Sequence, residues 1–278
     1  MRKLKFVVGV VTLLLLLQFT LVLQVSGITQ ATRDYENRYN SVGVLKVVHP
    51  DGTEVFRCSG TLISPTKFLM LGWCMNYSLI DPNRKGYISL DNNIYDEEDE
   101  PWFEIKETDF VRHYMTINSG NGVGGLHSLV IVTLPEAFTA GHTWAKLTPP
   151  GLLDERSVQD GLRGVEFTSV GYGYQADWER GPVYGWIDGW RNYASAPFQL
   201  LTREFLDLNI NEHATGGGGA CWGDIGGPLF LPVNGQDILV GVATWRGTEP
   251  TCRATAGYFR LDTPWAQEFL NNYVGEGR

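Results

Sequence analysis

The stretch T-G-G-G-G-A-C-W-G-D-I-G-G-P-L-F, residues 215–230, says most about how this chain folds. Its glycines let the backbone turn tightly, so the N–H groups of Gly223 and Ile225 can converge on one oxygen atom of a bound molecule. Ile225 itself offers no hydroxyl, no lone pair and no titrating proton. A glycine-rich turn in any β protein would explain the same string, so other segments must decide between the two interpretations.

The segment F-R-C-S-G-T-L-I-S-P-T-K-F-L-M-L-G-W-C, residues 56–74, makes that decision. It resembles the C-G-G-T-L-I-S-P…V-L-T-A-A-H-C segment of the trypsin/chymotrypsin-like serine protease family, and residues 215–230 resemble that family's G-D-S-G-G-P signature. The resemblance covers most of residues 28–274. It implies an all-β fold of two packed six-stranded antiparallel barrels, residues 28–150 and 151–278, with a C-terminal helix in the second part.

The resemblance places Trp73, Ser128 and Ile225 at the three catalytic positions, where the family carries histidine, aspartate and serine. The indole N–H of Trp73 only donates a hydrogen bond, so it cannot take a proton from a nucleophile. Ser128 lacks the negative charge that would stabilise an imidazolium, and Ile225 has no nucleophilic atom. The sequence therefore predicts a degenerate triad with no member intact.

The positions around this triad imply a cleft that keeps its backbone donors. The amides of Gly223 and Ile225 would still form an oxyanion-hole-like pair. The adjoining pocket is expected from five residues: Gly219, Trp222, Thr244, Trp245 and Arg246. Arg246 stands where the family usually has glycine, and Gly219 at the base supplies no charge, so a preference for basic side chains is not expected.

A rearranged catalytic set is the alternative. The candidate bases are His127, His142 and His213, and the candidate hydroxyls near the old site belong to Ser128 and Thr244. No spacing among them predicts that a serine, a histidine and a carboxylate converge.

Residues 1–27 predict a signal peptide, because a basic start precedes a long apolar run and the small residues Ser26 and Gly27. An apolar run of about 20 residues can also span a bilayer, so an uncleaved signal anchor stays open, and membrane contact is expected only in that case. Either way the folded part lies outside the cytoplasm, and we expect a secreted, extracellular protein.

Four cysteines, Cys58, Cys74, Cys221 and Cys252, suit an oxidising compartment and allow three pairings. The family resemblance implies a Cys58–Cys74 disulfide, which leaves Cys221 and Cys252 as the other pair.

Charge excludes one class of partner. The chain has 22 Lys+Arg and 31 Asp+Glu, and removal of residues 1–27, with three basic and no acidic residues, takes the net charge from −9 to −12. Nucleic acid is therefore not expected as a partner. The acidic run at residues 96–100 suits a solvated loop or a calcium loop, but its ligand spacing is irregular, and no metal or cofactor is predicted.

The resemblance also implies a role for the new N-terminus. A cut after Gly27 would free Ile28, whose amine we expect to pair with the carboxylate of Asp224, as the family's activated N-terminus does. Two features argue against this pairing: residues 29–31 lack the glycines that help that segment turn inward, and Asp224 could accept nearby backbone N–H groups instead.

These observations predict a secreted trypsin-like serine protease homologue that is catalytically inactive and binds an unknown protein or peptide. The alternatives are a serine endopeptidase with rearranged catalytic groups and a purely structural secreted module.

Overall fold

The computed structural model describes residues 28–79, 83–95, 102–114, 128–174, 188–244 and 252–274, and every structural statement below concerns these ranges. The predicted signal peptide, the acidic run and the residues Trp245 and Arg246 lie outside them. Within the ranges, no helix combines the length and the apolar character needed to cross a bilayer.

Strands make up most of the described chain. They are β1 (Thr32–Arg33), β2 (Val42–Val48), β3 (Glu54–Ser64), β4 (Lys67–Leu71), β5 (Lys85–Ser89), β6 (Phe103–Ile105), β7 (Phe110–Tyr114), β8 (Ser128–Thr133), β9 (Lys146–Leu147), β10 (Glu166–Gly171), β11 (Asn192–Leu201), β12 (Phe205–Asn209), β13 (Pro228–Val233), β14 (Gln236–Ala243) and β15 (Thr255–Arg260). The α-helices are short apart from the last: α1 (Gly72–Leu79), α2 (Glu136–Thr139), α3 (Leu152–Ser157), α4 (Glu212–Thr215) and α5 (Pro264–Val274). Single 3₁₀ turns occupy Glu107–Asp109 and Val158–Asp160.

The first half of the chain forms a seven-stranded sheet in the order β6-β5-β2-β3-β4-β8-β7. All neighbouring strands run antiparallel. Its end strands β6 and β7 do not pair with each other in the described residues, so this sheet is a half-barrel. β-Branched and aliphatic residues fill its central strands β2, β4 and β8, which are almost entirely buried.

The second half forms a closed barrel of six strands. β10 pairs with β11, β11 with β12, β12 with β15, β15 with β14, β14 with β13, and β13 returns to β10. β1 adds to β11, and β9 adds to β14 as a parallel strand. The predicted double-barrel fold is confirmed, with the difference that its first barrel is a half-barrel.

Two apolar clusters hold these sheets together. One lies within the second barrel and includes Phe167, Leu206 and Tyr258. The other combines the inner face of the first sheet with residues of the second barrel, among them Ile225 and Phe230. Because the second cluster draws from both halves, the two halves pack through a common core.

The expected C-terminal helix is α5, and its first turn is capped. The backbone N–H of Ala266 donates to Thr263 Oγ1 at 3.3 Å, and Pro264 occupies the first helical position. The ring of Trp265 packs edge-on against Phe259 of β15, with 5.3 Å between ring centroids. These contacts fasten the helix to the second barrel.

Both predicted disulfides are confirmed. Cys58–Cys74 joins β3 to α1, and Cys221–Cys252 joins the glycine-rich turn to the segment before β15.

Candidate functional site

The glycine-rich turn lies between α4 and β13 and is held in place from both halves of the molecule. Gly223 and Gly226 have positive φ angles of 88° and 86°, a conformation that favours glycine. A Cβ at Gly226 would lie 2.4 Å from the carbonyl oxygen of Ser59, so the turn packs directly on β3. The N–H of Gly226 donates to the carbonyl of Ala243 at 2.9 Å.

The two amides singled out by the sequence are left available by this turn. The neighbouring N–H groups of Asp224 and Gly227 donate to the carbonyls of Cys221 and Asp224, at 3.1 and 2.8 Å. Among the described residues, no acceptor pairs with the N–H of Gly223 or of Ile225. Two free amides on either side of one residue in a turn can donate to one oxygen atom that carries negative charge.

Of the three degenerate catalytic positions, Trp73 lies in the first turn of α1, and Ser128 and Ile225 lie against that turn. The half-buried Trp73 packs against the common core. Ser128 is 1% exposed, and a Cβ at Gly72 would lie 2.2 Å from its hydroxyl oxygen. On the other side, Cys74 Sγ lies 3.6 Å from the carbonyl oxygen of Ile225. Residues that are distant in sequence therefore meet where the family resemblance places its catalytic centre.

None of these three side chains is arranged for acyl transfer. The Ile225 side chain is 1% exposed and belongs to the apolar core. The Ser128 hydroxyl has no hydrogen-bond partner within the described part of the chain, and it is enclosed rather than presented to a substrate. A nucleophile needs both access and a base within hydrogen-bond reach, and within the described ranges the Ser128 hydroxyl has neither.

Asp224 is buried, with 1% of its surface exposed. Its carboxylate accepts hydrogen bonds from the N–H of Gly173 at 2.8 Å and the N–H of Cys221 at 3.0 Å. Burial raises the pKa of Asp224 to about 7, although the two amide hydrogen bonds oppose that shift. Ile28 is also buried, but the contacts described for the Asp224 side chain come from those two amides.

Gly219, the expected base of the pocket, packs closely against Thr29 and Ile210. The N–H of Gly219 donates to Thr29 Oγ1 at 3.0 Å, and its carbonyl accepts from the Thr29 N–H at 3.1 Å. A Cβ at Gly219 would lie 2.6 Å from Ile210 Cγ2, so this position has no room for a charged side chain. Any ligand selected here is thus not selected by a charge at residue 219.

The other two described pocket residues, Thr244 and Trp222, differ in exposure. Thr244 is buried, and its hydroxyl donates to the carbonyl of Gly257 at 3.1 Å, so it acts as structural wall. Trp222 keeps 39% of its surface exposed beside the free amides. It is the described side chain of this set that a partner could cover.

The histidines with described side chains lie in separate segments. The backbone of His49 forms a turn with Gly52 and Thr53, and the ring nitrogen Nδ1 of His142 lies 2.8 Å from the Asn40 carbonyl. His213 lies in α4. His127, the remaining candidate base, is outside the described residues.

Sequence reasoning missed Ser59, which supports the turn from the first half. Its hydroxyl donates to the Gly223 carbonyl at 3.3 Å and accepts the N–H of Tyr172 at 3.0 Å. The available signal was the C-S-G of residues 58–60, where the family segment reads C-G-G. Ser59 links β3, β10 and the glycine-rich turn in one buried contact.

The arrangement of these sheets matches that of known proteases. The solved structure of HL collagenase, a trypsin-like serine protease, superposes with a TM-score of 0.62 and covers 89% of this chain and 99% of its own. The chain has the trypsin-like double-barrel fold. At 14% identity this similarity shows the trypsin-like fold alone and leaves activity to be argued from the site. No family model and no curated protein matches the sequence.

Proposed function

We propose that this protein is a secreted, catalytically inactive homologue of trypsin-like serine proteases that acts by binding a protein or peptide. The observation that carries the proposal is the occupation of the three catalytic positions by Trp73, Ser128 and Ile225 around α1. The trypsin-like fold supplies the setting, and these side chains supply no base, no carboxylate and no hydroxyl at the nucleophile position.

The loss of turnover expected from these replacements supports inactivity. Loss of one member of a catalytic triad lowers turnover by about 10⁴ to 10⁶, because the members act as a unit. Here the three positions are all changed, and the replacement at the nucleophile is buried. Free amides alone stabilise an oxyanion only after something has attacked the carbonyl.

The same features suit binding. The amides of Gly223 and Ile225 can donate to one oxygen of a ligand, and the exposed Trp222 offers a large apolar surface beside them. Aromatic anchors next to a few fixed polar groups are typical of protein-binding sites. The two disulfides suit the oxidising compartment that the predicted signal peptide implies.

A serine-reactive phosphonate probe and a broad peptide library test the inactivity. We expect no covalent labelling and no specific cleavage by the full-length protein as a cell secretes it. If either occurs, Ser59→Ala, Ser128→Ala and Thr244→Ala variants identify the hydroxyl responsible. Loss of labelling in one of them would replace the proposal with a rearranged endopeptidase.

Partner capture tests the binding. Trp222→Ala should release a partner that the parent protein retains, whereas Trp144→Ala, which changes another tryptophan with 55% exposure, should not. If both variants retain the partner equally, the partner binds a surface other than the cleft beside Trp222.

A further inference from the structure

A second surface, remote in sequence from the degenerate triad, has the features of a peptide groove. A cleft of about 810 Å³ lies between the end of β11 and the start of α5, and its lining includes Leu200 and Trp265. A smaller one of about 270 Å³ continues it along α3 and the following turn. Ser157, Phe198 and Gln199 line both, so we call the two together the β11 groove.

The β11 groove exposes an unpaired strand edge. The pairing of β11 with β10 ends at Pro197, where Glu166 is the partner, and the Phe198 N–H then donates to the Val165 carbonyl at 3.0 Å. Beyond that point β12 pairs with one side of β11, through Leu200 and Leu201. No described strand lies along the other side. An edge of this kind is a template for an added strand.

The side chains of the groove are apolar where a strand would lie. Leu200 is 48% exposed, and Phe198 and Leu201 on either side of it also line the cleft. Proteins usually protect an open edge with charged residues or proline, and the three edge residues 199–201, Q-L-L, carry neither. Exposed apolar residues beside an open edge indicate an interaction surface.

The charges of the groove cancel in local pairs. Arg260 Nη2 lies 2.9 Å from Asp154, and the two exposed arginines each lie 3.6 Å from an acidic neighbour. Those pairs are Arg163–Asp160 and Arg203–Glu204. The lining therefore has three cations and three anions, in contrast to the strongly acidic chain as a whole. Such a surface attracts neither an acidic nor a basic segment, so complementarity favours an uncharged one.

We propose that the β11 groove binds an extended, uncharged, apolar peptide segment of another protein. The segment adds a strand to the open edge at residues 199–201 and places an apolar side chain in the cleft beside Leu200 and Trp265. Backbone hydrogen bonds give the affinity, and the cleft selects the side chain. The groove contains none of the triad or pocket residues, so this inference does not depend on the proposed function.

A display library of random seven-residue peptides without charged residues, selected against the full-length secreted protein, tests the inference. Selected peptides should bind Leu200→Asp and Leu200→Arg about tenfold more weakly than the parent protein, because both substitutions place a charge in the cleft. The matched control is Val111→Asp, which alters an exposed apolar residue on β7, the edge strand of the other sheet. It should bind like the parent.

Two further measurements separate strand addition from simple apolar adhesion. Bound peptide should slow hydrogen exchange of the amides at residues 199–201, and the affinity should change by less than about twofold between low and high salt. The inference is overturned if no peptide is selected, or if the selected peptides bind the Leu200 variants as tightly as the parent. It is also overturned if sedimentation shows that Leu200→Asp abolishes self-association and that peptides do not compete, since the occupant is then a second copy of this chain.

Discussion

Two carboxylates in this protein are buried to the same degree but have different partners: one pairs with a cation, and the other accepts backbone amides. Asp34 is 2% exposed and Asp224 is 1% exposed. Asp34 meets the guanidinium of Arg191 at 2.8 Å and also accepts the N–H groups of Arg38 and Tyr39. In the described part of the chain, Asp224 accepts only the amides of Gly173 and Cys221 and has no cation beside it.

The two carboxylates have different roles. The pair of Asp34 with Arg191 stabilises the fold, whereas Asp224 belongs to the candidate site. The Arg191 guanidinium is itself buried and also donates to the carbonyls of Val42 and Leu90, so it ties β2 and the segment before it to the second barrel. A fully hydrogen-bonded buried pair of this kind fixes geometry. Asp224 instead has a pKa raised to about 7 by burial, and it lies in the turn that presents the free amides.

Arg191→Met should produce the largest effect. It leaves Asp34 buried without its counter-charge, so we expect a loss of about 3–5 kcal/mol in the free energy of unfolding, measured by urea denaturation. Adding Asp34→Asn should recover part of this loss, since the amide oxygen still accepts one backbone N–H. A single variant as stable as the parent would show that the pair does not fasten the fold.

The second prediction concerns a cation that Asp224 could acquire. We propose that Ile28 is the first residue of the mature chain and that its amine pairs with Asp224; in the full chain this nitrogen is an amide. In a chain beginning at Ile28, Asp224→Asn should then cost about 3–5 kcal/mol. In a control chain with one alanine added before Ile28, the same substitution should cost much less, because relief of a buried charge offsets the lost acceptor. The proposed pairing is contradicted if Asp224→Asn lowers the free energy of unfolding equally in the two chains. It is also contradicted if N-terminal sequencing shows that the mature chain begins at another residue.

The third prediction is a pH dependence in the control chain. The pKa of Asp224 rises from 3.8 to about 7 on folding, so the folded state holds its proton more tightly than the unfolded state. The stability from this group is complete below pH 3.8, falls as the pH rises from there to about 7, and is constant above. Since one pKa unit corresponds to about 1.4 kcal/mol, a few kcal/mol are at stake. Denaturation at several pH values should show this slope, and Asp224→Asn should flatten it; the same slope in both proteins would assign it to other groups.

The smallest effect is expected for Arg38, a cation of the same segment that lies at the surface. Its guanidinium is 3.0 Å from Asp237, and 58% of its side chain is exposed. Arg38→Met keeps an apolar stem over the ring of Tyr39 and should cost about 0–1 kcal/mol by the same denaturation assay. A cost as large as that of Arg191→Met would mean that burial does not explain the contrast.

The sequence predicted the parts of this fold that depend on neighbouring residues. Cys58 and Cys74 lie in a segment that resembles the family's in residue type and spacing, so their disulfide was expected. The C-terminal helix was expected from the same resemblance, and Thr263 and Pro264 start it by local capping chemistry. The turn at residues 215–230 was expected because its glycines permit little else.

Contacts between distant residues could not be predicted in this way. Arg191 and Asp34 are separated by 157 residues, and nothing beside either residue indicates the other. The β11 groove was missed for the same reason, since its open edge exists because β10 begins only at Glu166, opposite Pro197, and leaves residues 199–201 of β11 without a partner from β10. The closure of one barrel and not the other likewise depends on which end strands meet in space.

The attachment of the first described residues to the second barrel has a consequence for the order of events during synthesis. Thr29 finds its partner Gly219 after 190 further residues, which at 5–20 residues per second takes roughly 10–40 s. All seven strands of the first sheet are made within that interval and can pair before it ends. Until then residues 29–34 are not attached to the second barrel, although the first sheet can already have formed. Synthesis of Arg191 and Gly219 supplies the contacts that join these residues to the second half. A ribosome that stalled before residue 191 would hold a first half in which residues 29–33 lack β11 and the glycine-rich turn, to which they bind in the complete fold.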